Sequence, residues 1–428
     1  TTQAKSGYIS PNEKLNVAGI GVGGKGGSDI GNCDTENIVA LCDVDEKRAS
    51  RSFRRFPNAK KYHDFRVMLD EMGDEIDACT ISTPDHMHAV TALRCMERGI
   101  HVYVQKPISH TVHEARVMTE WANRYHVKTQ MGNQGESSDG RRETCELIWS
   151  GIIGQIREVH SWTNRPIWPQ GIEGPLPKQP IPDNLDWDLW LGPAPYRPYN
   201  TGYVPFKWRG WWDFGCGALG DMGCHILNPV AKSLLLKYPI SIECIHQKNG
   251  NQQTFPTESI IRYRFPQRGN FDPVVVYWYD GKLKPDMPSW VTDDIKWAKN
   301  ACGSIFIGDK GIIEIPQNGG VVHVILDGKK VKDYPKPRKI LPRLPQAKDG
   351  GSDRTHKLDW IHSIKTGGKA GSNFDHAGPL TEWVVMGNIS LLFPGQRLDW
   401  DADNLRFTNE SKANQYVKKD YRKGWELL

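Results

Sequence analysis

The sequence predicts an α/β fold in two parts, a doubly wound parallel sheet followed by a C-terminal α/β domain with a large, mostly antiparallel open sheet. Between residues 15 and 134, short apolar runs alternate with segments of helical length, which is typical of a parallel sheet with helices on both faces. Beyond residue 134, strand-like runs separated by Gly and Pro mostly follow one another, which favours antiparallel pairing. We therefore expect two domains, residues 1–134 and 135–428, in a chain of 428 residues.

Each predicted element is a short run with its own boundary signals. In the first domain we expect a strand within LNVAGI, a helix from Ser28 to Cys33, the strand NIVALC, a helix from Glu46 to Arg54, the helix FRVMLDEM, the strand IDACTIS, the helix AVTALRCMERG, the strand IHVYVQ, a helix from Val112 to Tyr125 and the strand VKTQMGN. In the second we expect the helix RRETCELIWSG and the strands IREVHSW, SIECIHQ, SIIRYRF, PVVVYWY, SIFIGD, GIIEI and VVHVIL. The aromatic and Pro-rich stretch from Pro166 to Trp212 has no clear period, which indicates a functional loop or a lid.

A glycine-rich turn, GVGGKG, follows the first predicted strand. Such a turn admits a pyrophosphate to bare backbone, lets the next helix pack closely, and places the phosphates on helix N-terminal N–H groups. The residues expected to form it are Gly21, Gly23, Gly24, Lys25 and Gly26. Asp43 closes the next apolar run, where a carboxylate reaches the hydroxyls of the adenosine ribose. The pattern therefore predicts a Rossmann domain that binds a dinucleotide.

Asp43 also bears on which dinucleotide is bound. A carboxylate at this place repels a 2′-phosphate, so NAD is favoured over NADP. Lys47 and Arg48 lie just downstream and could bind that phosphate, which leaves NADP as the less favoured alternative.

Composition argues against several classes of protein. The net charge is +5 and the basic residues are mostly scattered, so nucleic-acid binding is not indicated. The mean hydropathy is −0.57 and the chain has no apolar run of about 18 residues, which predicts no membrane span. The nine cysteines include no C-x-x-C pair and are expected to be mostly buried thiols.

Two further stretches lead to expectations about the outside of the molecule. A basic, Pro-rich cluster from Lys329 to Arg343 predicts a solvated loop or an arm over a neighbouring subunit. The chain starts at Thr1 rather than Met, so we expect that a leader or tag has been removed. The compartment stays open between the periplasm, after leader removal, and the cytoplasm.

Two segments far apart in the sequence carry the candidate catalytic residues. Lys106 ends a predicted strand and would point into the cofactor crevice, although a surface lysine is the alternative. In GALGDMGCHILNPV, Asp221 and His225 would share one helical face. His225 would accept a proton from a hydroxyl as hydride leaves the same carbon, and Asp221 would fix its tautomer or bind a substrate hydroxyl. Alternatives are a core histidine capped by an aspartate, or a metal site shared with His86 and His88 that lacks a known ligand pattern; we therefore predict no metal.

The order of these motifs resembles the Gfo/Idh/MocA family of sugar and cyclitol oxidoreductases, named for glucose–fructose oxidoreductase and inositol dehydrogenase. The resemblance rests on GVGGKG, the acidic Asp43, STPDHMHA, VQKP, SGIIGQI and GDMGCH, densely in the first domain and more loosely in the second. It implies a Rossmann domain that binds NAD, an α/β domain on a large open sheet, and a homodimer or homotetramer formed through the outer face of that sheet.

The resemblance also assigns roles to single residues. Lys106 resembles the lysine of the family's E-K-P motif and would hold and polarise the reacting hydroxyl, while Asp221 and His225 resemble its D-x-x-x-H pair, with His225 as the acid/base. The residues that match the region beside the cofactor are Thr83, Pro84, His88, Gln105 and Lys106. Gln105 departs from the family, which usually has Glu there. Losing that carboxylate is expected to remove one partner that favours the charged form of Lys106.

Seven tryptophans lie between Trp162 and Trp212, and indole faces stack on the C–H faces of sugar rings. The residues expected to bind substrate are Trp208, Arg209, Trp211 and Trp212. Most of the seven are expected to pack inside the fold, and two exposed indoles would be enough to favour a carbohydrate ligand.

Together, the motifs and the resemblance predict an NAD-dependent oxidoreductase that moves a hydride between nicotinamide and a secondary hydroxyl, or keto group, of a sugar, glycoside or cyclitol. One alternative is an NAD-dependent glycoside hydrolase, which oxidises C3 transiently, eliminates the glycosidic group and takes the hydride back. Another is a non-catalytic protein that binds a sugar or the cofactor.

Overall fold

The computed structural model describes residues 13–293 and 295–427, and two β-sheets organise this part of the chain. The first sheet is parallel, with six strands in the order β3-β2-β1-β4-β5-β6. Its strands are β1 (Asn16–Ile20), β2 (Asn37–Cys42), β3 (Lys60–Tyr62), β4 (Ala78–Ile81), β5 (His101–Val104) and β6 (Thr129–Met131). Its helices are α1 (Lys25–Gly31), α2 (Glu46–Arg55), α3 (Phe65–Met72), α4 (His88–Met96) and α5 (Val112–Arg124). This order confirms the predicted doubly wound domain.

Side-chain caps explain where several of these helices begin. Asp45 and Asp64 precede α2 and α3, and each carboxylate accepts a backbone N–H of the first turn. Thr111 and Glu114 form a capping box at the start of α5. The helices therefore start just past the carboxyl ends of the strands, and the intervening loops gather at one edge of the sheet.

The second sheet has ten strands in the described residues, in the order β14-β13-β12-β11-β7-β10-β9-β8-β15-β16. All neighbours pair antiparallel except β7 and β10, which confirms the predicted sheet type. Its strands are β7 (Ile156–Trp162), β8 (Ser241–Lys248), β9 (Glu258–Phe265), β10 (Val274–Tyr279), β11 (Gly303–Gly308), β12 (Gly311–Pro316), β13 (His323–Leu326), β14 (Lys329–Val331), β15 (Arg397–Asp401) and β16 (Arg406–Phe407). The helices of this part of the chain are α6 (Asp139–Trp149), α7 (Trp187–Leu191), α8 (Gly217–Ile226), α9 (Asn228–Ser233), α10 (Gly351–Thr366) and α11 (Phe374–Ser390).

Helix α10 packs against the first sheet although it comes late in the chain. Trp360 and Ile361 are buried in one apolar cluster with Val17, Ile30 and Leu41. The expected division at residue 134 assigns this helix to the second domain, whereas its packing places it beside the first. Neither α10 nor α11 was predicted, and α11 is buried on nearly all sides, so it lacks the apolar stripe that marks a surface helix.

The basic, Pro-rich segment lies along its own chain. The buried carboxylate of Glu146, in α6, accepts the backbone N–H groups of Ile340 and Leu341 and pairs with the guanidinium of Arg343. The first residues of the segment form the edge strand β14. Hydrogen bonds to the chain's own helix therefore fix its path.

Three further expectations concern the whole chain. The expected removal of a leader depends on the start of the chain, which lies outside the described residues. Eight of the nine cysteines are buried, Cys302 is partly buried, and all nine are free thiols. No helix in the described part of the chain is both long and apolar enough to cross a bilayer.

Candidate active site

A cavity of about 530 Å³ opens at the carboxyl edge of the first sheet. It is lined by the turn after β1, the loops after β2, β4 and β5, helix α8, and parts of the aromatic stretch. The predicted site residues among its lining are Gly21, Gly23, Gly24, Lys25, Asp43, Thr83, Pro84, His88, Gln105, Lys106, Trp208, Arg209 and His225. The structure therefore brings segments of both domains to a single cavity, as ligand sites of open α/β sheets require.

The turn after β1 is built so closely that glycine is required at its two ends. Gly21 has a φ of +74°, and a Cβ there would lie 2.8 Å from the backbone nitrogen of Thr83. A Cβ on Gly26, which lies just behind the cavity wall, would be 1.7 Å from the carbonyl oxygen of Gly21. Only glycine leaves the backbone of this turn open toward the cavity.

Asp43 follows β2 and faces the same end of the cavity. Its carboxylate accepts the backbone N–H groups of Gly23 and Asp45, both at 2.9 Å. Burial raises the pKa of this carboxyl, although these two N–H donors oppose the shift. Arg48 also lines the cavity beside Gly24, whereas Lys47 does not. A cation that could bind a 2′-phosphate therefore lines the same cavity as the carboxylate that was expected to exclude it.

His88 connects two of the loops at this edge. Its ring nitrogens lie 2.7 Å from the carbonyl oxygen of Pro107 and 2.8 Å from that of Thr83. Burial lowers the pKa of His88 to about 4, while the two carbonyl contacts act in the opposite direction. Both ring nitrogens contact backbone, so His88 fixes the shape of the cofactor side of the cavity.

Gln105 hydrogen-bonds to a buried acid that sequence reasoning missed. Its Nε2 donates to Oδ2 of Asp29 at 2.7 Å, and the hydroxyl of Ser82 donates to the same oxygen at 2.9 Å. Lys25 and the fully buried Lys357 of α10 approach Oδ1 at 2.9 and 2.5 Å. Burial raises the pKa of Asp29, but Lys357 and Lys25 lower it by more, so this pKa lies below its usual value. An amide at position 105 suits this ionised neighbour, because it can donate a hydrogen bond.

Lys106 pairs with the carboxylate of Asp221, on helix α8 of the second domain. Its Nζ donates to Oδ1 of Asp221 at 2.8 Å and to the carbonyl oxygen of the same residue at 2.6 Å. Arg209 reaches the same carboxylate at 3.2 Å and Arg165 at 3.7 Å. Burial raises the pKa of Asp221, but Lys106 and Arg209 lower it by more and bring it to about 2. Asp221 is therefore an anion among three cations.

His225 lies one helical turn after Asp221 on α8, and its side chain lines the cavity. Burial and the nearby Lys106 lower the pKa of His225 well below its usual value, which favours the neutral ring but makes it a weaker base. Within the described residues, no hydrogen bond joins Asp221 to His225, so Asp221 contacts Lys106 rather than fixing the tautomer of the imidazole. The backbone carbonyl of His225 accepts from Arg141 at 2.6 Å, which anchors this end of α8.

The aromatic residues before α8 divide into two groups. Trp208 and Arg209 line the cavity, and the guanidinium carbon of Arg209 lies 4.2 Å from the Trp208 ring. Trp211 is fully buried and donates to the carbonyl oxygen of Gly202, and Trp212 packs 3.8 Å from Phe255. Neither Trp211 nor Trp212 lines the cavity, and both indoles contact other parts of the fold, so the structure does not bring them to the site with Trp208.

Several residues of the cavity were not expected from the sequence. Trp190 lines it, so two of the seven tryptophans face the cavity. Residues 184–186 pair with the chain just after Asp43, through hydrogen bonds from Asp186 to Val44 and from Glu46 to Asn184. The aromatic stretch thus covers part of the cavity, as a lid would. No local motif identifies residues that pair only after the chain has folded.

Asp85 is a second acid that the sequence reasoning left unassigned. It lies in the TPDHMH loop, lines the cavity and accepts the backbone N–H of Cys216 at 3.0 Å. Burial raises the pKa of Asp85 to about 7, against the opposing effect of Arg209 and Lys106. Its position within a motif already singled out was the signal that could have identified it.

The histidines proposed as alternative metal ligands are used elsewhere. The ring nitrogens of His86 lie 3.2 Å from the carbonyl oxygen of Phe214 and 3.0 Å from that of Trp190. Residues 13–293 and 295–427 contain no group of three or more His, Cys, Asp or Glu side chains that could hold a metal ion.

Comparisons with known proteins agree with this architecture. Residues 15–133 match the family model described as "Oxidoreductase family, NAD-binding Rossmann fold", and residues 147–266 match that of "Oxidoreductase family, C-terminal alpha/beta domain". Both models belong to the Gfo/Idh/MocA family, and together they cover more than half of the chain.

Individual relatives are distant. An alpha-N-acetylgalactosaminidase of Shewanella oneidensis is 28% identical over 165 residues, which are 35% of this chain and 35% of that protein. The chain spans about a third of the length of the curated relatives that it matches.

Solved structures resemble the whole fold. One is the WlbA dehydrogenase of Bordetella pertussis, in complex with NADH and UDP-GlcNAcA, at a TM-score of 0.63 and 14% identity over 91% of this chain and all of that one. Another is an inositol dehydrogenase homolog of Azotobacter vinelandii, complexed with NADH and myo-inositol, at a TM-score of 0.62 and 16% identity over 90% of this chain and 98% of that one. With both domain models matched and the fold shared, the chain belongs to the Gfo/Idh/MocA family of NAD-binding oxidoreductases.

Proposed function

We propose that this protein transfers a hydride between NAD and a secondary hydroxyl, or the corresponding keto group, of a sugar or cyclitol. The observation that carries the proposal is that Lys106 and His225, which come from different domains, line one cavity with the glycine turn and Asp43. A cavity with a dinucleotide-binding turn at one end and an acid/base set at the other suits a dehydrogenase.

The residues of the cofactor end fit a dinucleotide. The glycine turn leaves backbone open where a pyrophosphate would lie, and Asp43 is placed to accept ribose hydroxyls. The buried oxygens Thr83 Oγ1 and Gln134 Oε1 have no hydrogen-bond partner in the described residues, although both side chains line the cavity. A bound ligand with polar groups would satisfy them. When bound, nicotinamide supplies the carbon that accepts or returns the hydride.

The chain's own residues would handle the proton and the oxygen. Lys106, held by Asp221, would donate a hydrogen bond to the reacting hydroxyl and stabilise negative charge on its oxygen. The neutral His225 would take the hydroxyl proton as the C–H hydride departs, and would give the proton back during reduction of the ketone. Trp208 would contact a face of the sugar ring.

The ligands held by the similar structures support this substrate class. The Bordetella protein holds NADH with a nucleotide sugar, and the Azotobacter protein holds NADH with a cyclitol. We extend only the chemistry that these ligands share, a ring that bears secondary hydroxyls, to the present protein.

Two substitutions test the assignment. We expect His225→Ala and Lys106→Ala to lower turnover by about a hundredfold or more, since each removes a group that acts on the reacting oxygen or its proton. NADH absorbance over a panel of sugars and cyclitols measures turnover, and titration with NAD measures cofactor binding, which should change little. Full turnover in both variants would contradict the proposal.

A second candidate function is that of an NAD-dependent glycoside hydrolase. The observation that favours it is the similarity of part of this chain to an alpha-N-acetylgalactosaminidase. Incubation with aryl glycosides, without added NAD, separates the two reactions. Release of the phenol without net NADH would identify the hydrolase, whereas NADH formation on free sugars would identify the dehydrogenase. Tight NAD binding with neither product would instead indicate a non-catalytic binding protein.

We also propose that the protein forms a homodimer or homotetramer through the outer face of the second sheet. Ile260, Arg262 and Tyr277 lie partly exposed on that face, and the Tyr277 ring stacks on His160 at 4.8 Å. Light scattering measures the mass in solution, and a monomer at micromolar concentration would contradict the proposal.

A further inference from the structure

The reacting end of the cavity carries more positive than negative charge. Lys106, Arg165 and Arg209 all lie within 3.7 Å of one carboxylate, that of Asp221. The other acid at this end is Asp85, whose pKa burial raises to about 7, so it is only about half ionised at neutral pH. Three basic side chains therefore face one carboxylate that all three share and a second carboxyl that is only partly ionised.

Both arginines keep donors that the protein does not use. Arg209 gives Nε to Asp221 and Nη1 to the carbonyl oxygen of Phe206, the latter at a long 3.4 Å. Arg165 gives Nη1 to Asn164 at 2.6 Å. No described residue accepts a hydrogen bond from Nη2 of either guanidinium, and the two side chains are 21% and 27% exposed. Arg209 lines the cavity, so its unused N–H groups are available to a ligand there, whereas Arg165 does not line it.

We propose that Arg209 selects a sugar that carries a carboxylate, such as a uronic or aldonic acid, and binds that carboxylate beside Trp208. The proposal rests on the proposed function, because the same sugar must present its hydroxyl to Lys106 and His225. A neutral sugar would leave the excess charge uncompensated in a partly buried site, which is unfavourable. A carboxylate would balance it and match the planar fork of a guanidinium.

Arg209 is placed to act as the primary contact. It lines the cavity, whereas Arg165 borders the site through Asp221. The ring centre of Phe206 is 4.5 Å from the guanidinium carbon, and Trp208 is 4.2 Å away, so both rings hold the guanidinium plane in place. A fixed plane loses less entropy when it binds a planar anion. The alternative hypothesis is that both arginines serve only to hold Asp221. It predicts that the protein binds acidic and neutral sugars equally well.

Pairs of ligands that differ in whether they carry a carboxylate distinguish the two hypotheses. Binding to the NAD-loaded protein would be measured by calorimetry for methyl glucuronide against methyl glucoside, methyl galacturonide against methyl galactoside, and gluconate against glucitol. We expect the acid of at least one pair to bind about tenfold or more tightly, and added salt to weaken that preference. Equal binding within every pair, or no binding of any acid, would overturn the proposal. Tighter binding of glucose 6-phosphate than of every sugar acid would also overturn the assignment of a carboxylate.

Variants test whether Arg209 is responsible. Arg209→Gln should bring the ratio of the two affinities close to one, and Arg209→Lys should retain part of it, since charge remains while the fork is lost. Lys207→Gln removes a charge from the same short helix, but Lys207 does not line the cavity, so the ratio should not change. An unchanged ratio in Arg209→Gln would contradict the proposed contact.

The same ligands distinguish this proposal from the proposed function. If neutral sugars alone are oxidised, the dehydrogenase assignment holds and the carboxylate site is wrong. If acids bind selectively but no ligand yields NADH or product, the anion site holds and the dehydrogenase assignment is wrong.

Discussion

The two ends of the cavity are built in different ways. The core of the cofactor end is a short stretch of chain, from Gly21 to Arg48, whose backbone lies open to the cavity and which the loop of Thr83 and His88 adjoins. The reacting end consists of charged side chains from segments far apart in the sequence, with Lys106 after β5 and Asp221 on α8. The shape of the cofactor end depends on glycines, which have no Cβ. The chemistry of the reacting end depends on which charged side chains are paired. Substitutions should therefore act on binding at one end and on chemistry at the other.

The largest expected effect is at the cofactor end. Gly26→Ala would place a Cβ 1.7 Å from the carbonyl oxygen of Gly21, which the turn cannot accommodate without moving. We expect NAD affinity to fall by about a hundredfold or more, measured by calorimetry, with the far-ultraviolet circular dichroism retained. The control is Gly368→Ala, where the nearest atom to a new Cβ is 3.4 Å away and outside the cavity. Unchanged NAD binding in Gly26→Ala would show that the turn does not hold the cofactor.

At the reacting end, Asp221→Asn should reduce turnover without abolishing NAD binding. The change removes the anion that Lys106, Arg165 and Arg209 share, so the ammonium would no longer be held in one place. We expect kcat to fall by about a hundredfold while the affinity for NAD changes little.

The matched control for Asp221→Asn is Asp213→Asn. Asp213 pairs with Arg197 in the preceding segment and does not line the cavity. If both variants lose turnover equally, loss of structure rather than of the shared anion would explain the effect.

The contrast between the two ends also explains what could be predicted from the sequence. The glycine turn, Asp43 and the alternation of strands and helices are local patterns, and both sheets have the predicted type. The helical spacing of Asp221 and His225 was local too. The partner of Lys106, the burial of Trp211 and the packing of α10 arise only when distant segments meet, and no periodicity of the chain encodes them.

Asp85 provides a pH test at the boundary of the two ends. An unfolded aspartate loses its proton near pH 3.8, whereas the pKa of Asp85 in the folded protein is about 7. Between these values the folded state binds the extra proton, so this group's contribution to the free energy of unfolding falls as pH rises and is gone above about pH 7. Lys106, Arg209 and Asp221 face this carboxyl, together with the N–H of Cys216.

We expect Asp85→Asn to remove that decline. Urea denaturation of both proteins between about pH 5 and pH 8 should give a difference in unfolding free energy that shifts by roughly 2 kcal/mol in favour of the variant. The exposed Asp183→Asn serves as the control, and its difference from the native protein should stay constant over this range. A constant difference for Asp85→Asn as well would contradict the buried, protonated carboxyl.

The smallest expected effect concerns Gln105, which lies between the two ends. Gln105→Glu would set a second carboxylate against Oδ2 of the ionised Asp29, where the amide now donates a hydrogen bond at 2.7 Å. We expect a loss of about 1–2 kcal/mol in the free energy of unfolding, measured by urea denaturation. Asp29→Asn should itself lower stability, because the buried Lys357 and Lys25 lose their anion. In the double variant the total loss should be smaller than the sum of the two single losses, because the repulsion is removed. Additive losses in the double variant would show that the two residues are not coupled.

The late position of α10 has a consequence for how the protein is made. Strand β6 ends at Met131 and α10 begins at Gly351, so the last strand of the first sheet leaves the ribosome long before the helix that covers Val17, Ile30 and Leu41. Synthesis proceeds at about 5–20 residues per second, so this apolar face of the first sheet stays uncovered for at least about ten seconds before α10 is made. Any fragment that stops before α10 would leave the same apolar face uncovered, so a shortened N-terminal domain should aggregate unless α10 is supplied in trans.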